Sequence, residues 1–191
     1  MQHNSSRWVF GYGSLIWNPG FSFVTRRQAT LRGLHRRLCV YSYRHRGTEA
    51  QPGLVFGLMQ GGSCRGTVFE VAEADWPAVH AYLAAREMDR GVYLEALRPA
   101  ELDDGGTVSA LAYVADPRHV QYAGKLEIAV QLRLVRSAEG ESGRNRDYVL
   151  QTAEHLAAMG ISDRYLDALV EALHRDETAD DAVAAPQVRR R

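Results

Sequence analysis

The sequence predicts an α+β fold, and three observations lead there. Short apolar runs bounded by Gly and Pro dominate the first two-thirds of the chain. Longer segments with apolar residues at helical spacing follow in the last third. The chain has 191 residues, 46% of them hydrophobic, which suits one compact domain with a sizeable core. Strands and helices segregated in this way build a layered α+β domain rather than an alternating parallel array.

Residues 8–12 read as a strand running into a glycine turn. Residues 38–43, 54–59 and 67–71 are short β-rich runs separated by turn signals. Residues 75–88 form the clearest helix: Asp75 can cap it, Pro77 suits its first turn, and alanines fill its faces. Two further strands, 92–97 and 108–114, flank a turn over 103–106. Residues 126–135 are ambiguous. Leu126, Ile128, Val130, Leu132 and Leu134 alternate as in a strand, but the length also suits a helix. A helix over 145–159 stops at Gly160, and Ser162 caps a last helix with Tyr165, Leu166, Leu169, Val170 and Leu173 on its apolar face. Past His174 the apolar period ends, so the domain is expected over 7–174, with a disordered tail over 175–191.

Composition removes several classes of function. No apolar run approaches the ~20 residues that span a bilayer, and the polar first six residues lack the layout of a secretory signal. Cytoplasm is the expected compartment, and no membrane partner is expected. Cys39 and Cys64 cannot make a disulfide framework, and nothing near them spaces like a zinc site, so two buried small hydrophobes are expected and no metal or cofactor. Lysine chemistry rests on Lys125 alone, the single lysine among 23 basic residues. It is followed by Leu126, which excludes a phosphate-binding Gly-Lys-Ser/Thr loop.

Net charge is zero but unevenly spread. Arg7, Arg26, Arg27, Arg32, Arg36, Arg37, Arg44 and Arg46 lie within the first 48 residues, which hold no Asp or Glu. Such a basic patch attracts anions. No basic helix interleaved with aromatics and no zinc finger accompanies it, so nucleic acid is not the expected partner. A small anionic ligand and a solvated arginine face both fit.

Two constellations could carry chemistry. In Phe10-Gly11-Tyr12-Gly13-Ser14-Leu15-Ile16-Trp17, glycines at a strand end let the backbone turn sharply and aim N–H groups into an anion-binding nest. A dinucleotide fingerprint fails because Ile16 stands where its third glycine belongs. An ordinary glycine turn remains open. The second is Glu87. Down the 75–88 helix the apolar stripe runs Trp76, Val79, Leu83, and position 87 is next on that face. A carboxylate there must be paired, raised in pKa, or set at a pocket wall. A general base and the partner of an arginine from the basic quarter are both open readings. Other candidates are weaker. Ser14 lacks a Gly-x-Ser-x-Gly elbow, His45 lies between two arginines, and Asp103 and Asp104 are most simply solvated.

With these residues in view, the chain resembles the ChaC-type γ-glutamylcyclotransferases. The likeness runs from Phe10-Gly11-Tyr12-Gly13-Ser14-Leu15-Ile16-Trp17-Asn18-Pro19 through His45-Arg46-Gly47-Thr48, Pro52-Gly53-Leu54-Val55 and Gly61-Gly62-Ser63-Cys64-Arg65-Gly66. It continues in Tyr82-Leu83, Arg86-Glu87, Tyr122-Ala123-Gly124, Ser142-Gly143, Asn145 and Tyr148-Val149-Leu150, covering about residues 8–170 in order. The chain departs from the family at Pro117-Arg118-His119-Val120-Gln121, where an Asn is usual, and at Arg90-Gly91-Val92-Tyr93, where two glycines and a Tyr are usual.

The resemblance implies a small mixed β-barrel core with packed helices, and a helix over 126–135. It implies intramolecular aminolysis of glutathione, giving 5-oxoproline and cysteinylglycine with neither metal nor cofactor. It assigns Glu87 as the acid/base. It assigns Tyr12, Gly13, Ser14, Leu15, Ile16, Trp17 and Tyr122 to the substrate, while the arginine-rich quarter would offset glutathione's negative charge. The alternatives are a cyclotransferase for other γ-glutamyl amino acids or amines, and a non-enzymatic regulatory binding module.

Overall fold

The computed structural model describes residues 7–87 and 91–184. In chain order it comprises β1 (Arg7–Gly11), a 3-10 turn (Ser14–Ile16), β2 (Thr25–Ser42), β3 (Gly53–Val71), α1 (Trp76–Glu87), β4 (Tyr93–Leu102) and β5 (Thr107–Ala115). After these come α2 (Ile128–Ser137), a small hairpin of β6 (Glu139–Gly140) and β7 (Gly143–Arg144), α3 (Asn145–Ala158) and α4 (Arg164–Ala184). The first five strands close into a barrel in the order β1-β3-β2-β4-β5. Sequential pairs such as β2–β3 and β4–β5 are antiparallel, while β5 pairs in parallel with β1 and touches β3 in parallel at Leu58 and Val114.

The long β2–β3 pair is the frame of the barrel. It runs in register from Thr25 opposite Glu70 to Ser42 opposite Gly53, with irregularities between Arg32 and Leu34 and between Leu38 and Val40. The sequence reading divides this pair into short pieces. Gly61 and Gly62 look like a turn, yet they lie within a continuous β3, at φ of 95° and 65°, opposite Gly33 at φ 77°. Left-handed backbone is open to glycine at little cost, so these residues bend the strands at a bulge instead of ending them. The first half of β2 escapes notice because its outward positions carry Arg, Gln and His.

Alternation along the strands divides the interior into two packed layers. In β5, Ala110, Ala112 and Val114 join a cluster with Leu31, Leu38, Leu54 and Leu58, which α2, α3 and α4 cover through Val135, Val149, Leu156, Leu166 and Leu169. Leu111, Tyr113 and Ala115 face the other way, joining Val9, Val40 and Val71 beneath Val79 and Leu83 of α1. The stripe read from the sequence on α1 is therefore the buried one. The Asp75 carbonyl accepts from the Val79 amide at 3.0 Å, as a residue opening a helix does. Met88, placed in this helix by the sequence reading, lies outside the described residues.

Residues 128–137 are helical, against the alternation count and in line with the family expectation. The alternating leucines and valines are only partly buried. The positions sealed in the core are Gln131 and Val135, four apart as a helix requires. Gln131 is satisfied there, donating to the Leu126 carbonyl at 2.7 Å and accepting from the Tyr165 hydroxyl. The last helix continues to Ala184, past the His174 limit set by the apolar period. Alanine and acidic residues can propagate a helix already nucleated by packing, with no apolar face of their own. No helix among the described residues is long and apolar enough to cross a membrane.

Candidate active site

The turn after β1 is held from below by a buried guanidinium. Arg36, on β2, is 3% exposed. Its Nε donates to the Tyr12 carbonyl, its Nη2 to the Arg65 carbonyl at 2.7 Å, and its Nη1 pairs with Asp163 at 2.6 Å. A buried cation so fully bonded is a positioning device. Gly13 itself has φ −133°, outside the left-handed region, so its value lies in space. A Cβ there would lie 3.4 Å from the Tyr148 hydroxyl, on the wall of a cavity.

That cavity has a volume of about 420 Å³ and is lined on one side by Tyr12, Gly13, Ser14, Leu15 and Trp17. Glu87 and Arg86 at the end of α1, Phe56, Tyr93, Tyr113 and Tyr148 complete the wall, with His45, Arg46 and Ser142 at its rim. A hollow of this size falls in the range of small-molecule sites. Of the substrate-facing residues expected from the resemblance, Ile16 and Tyr122 are not in its lining. Successive residues of a 3-10 turn point about a third of a turn apart. Ile16 is thereby carried into the barrel core at 3% exposure, while Ser14 stays on the cavity side. Tyr122 belongs to a stretch bonded alongside β2, where the Tyr41 amide donates to the Gln121 carbonyl and the Ala123 amide to the Cys39 carbonyl, each at 2.8 Å. Its bridge partner is Val40, and its side chain packs on the layer beneath α1.

Glu87 has a side chain only 17% exposed and lies 3.3 Å from Nε of Arg86. Burial raises its pKa above the usual carboxylate range, against the lowering effect of the Arg86 cation. Arg86 is heavily committed. It donates to the carbonyls of Asn18 at 2.8 Å and Pro19 at 3.2 Å, to the Tyr82 hydroxyl at 2.9 Å, and to Ser14 Oγ at 2.9 Å. The turn after β1 and the end of α1 are therefore tied through one side chain. The Ser14 hydroxyl accepts from a cation, an arrangement that does not activate it as a nucleophile.

Four tyrosines border the carboxylate, and burial drives every one of their pKa values upward. Tyr148 is pushed up to about 12, so all four remain neutral hydrogen-bonding groups at physiological pH. Tyr12 donates to the Tyr113 carbonyl at 2.8 Å, Tyr93 to the Phe56 carbonyl at 2.9 Å, and Tyr113 to Glu95 at 3.0 Å. Tyr148 differs: its oxygen accepts from the Phe56 amide at 3.2 Å, and among the described residues its own proton has no acceptor, so it is available to a ligand in the cavity it lines. Tyr12 is among the residues that the resemblance assigns to the substrate, whereas the sequence does not single out Tyr93, Tyr113 or Tyr148 as site residues, because a buried tyrosine in a strand or helix is ordinarily core.

Most arginines of the basic quarter are engaged within the protein. Arg7 pairs with Glu73, Arg27 with Asp104, Arg32 with Glu101 and Arg44 with Glu141 at the surface, Arg36 with Asp163 inside, and Arg37 stacks over Tyr165 at 4.3 Å. Of the eight arginines, Arg46 is the one that lines the cavity. Asp103 and Asp104 are ion-paired, with Arg65 and Arg27. Cys39 and Cys64 are free and buried, and burial pushes the Cys39 thiol up to about 12. Among the described residues no group of three or more His, Cys, Asp or Glu could hold a metal ion.

A closed five-stranded barrel flanked by four helices, with an enclosed carboxylate sharing a cavity with a turn of backbone amides, is the γ-glutamylcyclotransferase type of α+β fold. The ChaC-like protein family model matches residues 7–176, and the chain belongs to that family. It is 35% identical over 181 residues to the glutathione-specific gamma-glutamylcyclotransferase of Escherichia coli (strain K12), covering 94% of this chain and 78% of that protein. It is 32% identical over 173 residues to glutathione-specific gamma-glutamylcyclotransferase 1 of Homo sapiens, covering 87% and 78%. A crystal structure of the yeast γ-glutamyl cyclotransferase specific to glutathione superposes with a TM-score of 0.83 at 23% identity, covering 90% of this chain and 97% of that one.

Proposed function

We propose that this protein is a γ-glutamylcyclotransferase acting on glutathione, with Glu87 as its acid/base residue. The observation that carries the reading is the placing of one largely buried carboxylate and the residue 12–15 turn on the walls of a single cavity. In the γ-glutamyl group the α-amine can reach the side-chain carbonyl carbon and close a five-membered lactam. The nucleophile belongs to the substrate, so the protein needs to position it and manage protons.

At neutral pH the α-amine is an ammonium. Glu87 takes one of its protons, the nitrogen adds to the γ-carbonyl carbon, and the carbonyl oxygen becomes an oxyanion. As that oxyanion collapses, the C–N bond to the cysteinyl nitrogen breaks and the proton held by Glu87 passes to the departing amine; the second proton of the attacking nitrogen follows by way of Glu87, so the lactam nitrogen keeps one hydrogen and the released amine leaves as an ammonium. The products are 5-oxoproline and cysteinylglycine, and Glu87 is again a carboxylate. A pKa raised by burial suits both roles, because the best proton shuttle titrates near the working pH.

The first amides of the 3-10 turn have no partner within the turn itself, so Ser14 and Leu15 can offer N–H groups to the α-carboxylate or the oxyanion. One oxyanion donor contributes about 2.7–4 kcal/mol in a known hydrolase. Holding amine and carbonyl in near-attack geometry supplies ~7–11 kcal/mol. Tyr148, whose proton has no acceptor among the described residues, is a further donor for the substrate. The cytoplasm is the compartment we assign, on the two free cysteines.

The test is incubation of the purified protein with glutathione, with a chelator present and no nucleotide, followed by mass spectrometry. 5-Oxoproline and cysteinylglycine are expected in equal amounts. Their absence overturns the reading.

A further inference from the structure

We propose that Arg46 recognises a free carboxylate at the far end of the substrate, so that the site selects γ-glutamyl peptides over γ-glutamyl amines and amides. The inference rests on the cyclotransferase reading and names its specificity residue. The cavity holds two cations, Arg86 and Arg46. Arg86 is occupied by Glu87, Ser14 and the carbonyls of the turn. Arg46 is partnered otherwise. Both hydrogen bonds from its side chain leave from Nη1, to the carbonyl oxygens of Ser142 at 2.5 Å and Arg144 at 3.4 Å. Among the described residues it forms no ion pair with a carboxylate. Its Nε and Nη2 edge remains for an anion, and a guanidinium offers a carboxylate two parallel donors.

The position along the cavity fits the length of a peptide. Gly13 of the turn abuts the Tyr148 hydroxyl, which a Cβ would approach to 3.4 Å, and the Arg46 guanidinium lies 5.2 Å from the centre of the same ring. One tyrosine therefore separates the amides that receive the γ-glutamyl head from the cation that would receive the tail. The intervening residue of a tripeptide has that span to cross. A substrate that ends in an amine or an amide has nothing to place against the guanidinium.

The backbone beneath Arg46 is fixed before any ligand arrives. The Arg46 amide donates to Ser42 Oγ at 3.0 Å, the Glu141 amide to the Arg44 carbonyl at 2.8 Å, and the Ser142 amide to the His45 carbonyl at 2.9 Å. Gly53 passes so close that a Cβ would sit 2.0 Å from the Arg46 carbonyl oxygen. His45, which the sequence left open between surface loop and ligand, lies at the rim with its ring nitrogen 3.0 Å from Ser142 Oγ. A cation held this firmly loses little freedom on binding.

The experiment compares glutathione with its glycinamide analogue, which has a neutral amide in place of the terminal carboxylate. Initial rates of 5-oxoproline release are measured for the parent, Arg46→Gln and Arg46→Lys. The parent should favour the acid over the amide by about 10- to 100-fold in kcat/KM, carried mainly by KM. Arg46→Gln should bring that ratio close to one, and Arg46→Lys should keep part of it. A merely structural role for Arg46 predicts equal losses on both compounds in both variants, and that result overturns the proposal. So does a parent that turns over acid and amide alike, although the cyclotransferase reading then stands. If neither compound yields 5-oxoproline, the cyclotransferase reading fails, and titration calorimetry of the two compounds decides the carboxylate site: equal affinities overturn it, and a 10-fold preference for the acid upholds it.

Discussion

Replacing Glu87 by glutamine tests the acid/base assignment most directly, because the substitution alters charge and leaves shape. The amide oxygen can still accept from Arg86, whose Nε lies 3.3 Å from the carboxylate, so the end of α1 keeps its tie to the 3-10 turn. What disappears is the ability to accept a proton. General acid/base catalysis by a positioned side chain contributes 10²- to 10⁴-fold, and at about 1.36 kcal/mol per decade that is ~2.7–5.4 kcal/mol of barrier. The expected result is a fall of that size in kcat, with KM changed by no more than a few-fold. Stability should move the other way. Burial raises the folded-state pKa of Glu87, so its contribution to stability is full below the unfolded carboxylate pKa and is lost as pH rises through the folded value. At neutral pH the parent carries a charge that its surroundings disfavour, and Glu87→Gln should unfold at a temperature no lower than the parent. The assays are 5-oxoproline release between pH 4 and 9 and thermal unfolding by circular dichroism. In the parent, activity should rise with pH through an ionisation above the usual carboxylate range, and the variant should lack that limb. A variant that retains a tenth or more of the parental kcat, with the same acidic limb, would refute the role of Glu87.

Three further predictions concern neighbouring parts of the site. Arg86→Gln removes the cation that lowers the Glu87 pKa, so the acidic limb of the pH–rate profile should move to higher pH, with KM raised as the turn loosens; an unmoved limb excludes the coupling. Asn145→Ala strips two 2.6 Å hydrogen bonds from the Leu54 amide and carbonyl inside the core. Each bare group costs about 1–3 kcal/mol, so urea denaturation should show a loss of that order, and a loss below ~0.5 kcal/mol would contradict the satisfied-pair account. Gly13→Ala puts a methyl on the cavity wall at ordinary contact distance from Tyr148 without a left-handed backbone to strain. It should bind substrate more weakly, as read by KM.

The sequence reveals more about Glu87 and the turn after β1 than about the rest of the cavity. Glu87 stood out because a carboxylate interrupted an apolar stripe at helical spacing, and the turn stood out because glycines cluster at a strand end. Neither signal reaches across the chain. Tyr93, Tyr113 and Tyr148 come from two strands and a helix that only barrel closure brings together, and each alone reads as an ordinary core residue. Arg46 was hidden in a different way. It is one of eight arginines in a stretch without acids, and although it falls in the His45-Arg46-Gly47-Thr48 block of the resemblance, its residue type and charge do not set it apart from the seven that pair with surface carboxylates, brace the interior or lie away from the cavity. Ile16 and Tyr122 lie outside the cavity lining, since a motif groups residues by position while the backbone rotates some of them away. In the fold, alternating leucines over 126–135 imitated a strand because residues at i and i+2 can both be half-buried on a helix whose sealed face is set by Gln131 and Val135.

The triple bond set of Arg36 has a consequence at the other end of the polypeptide. The Tyr12 carbonyl oxygen, in the turn after β1, shares its guanidinium with Asp163, just ahead of the final helix. A chain cut short before that aspartate would leave an unneutralised cation under the turn and let it sag out of alignment. The closing helices therefore act as a keystone for a turn that lies far earlier in the chain.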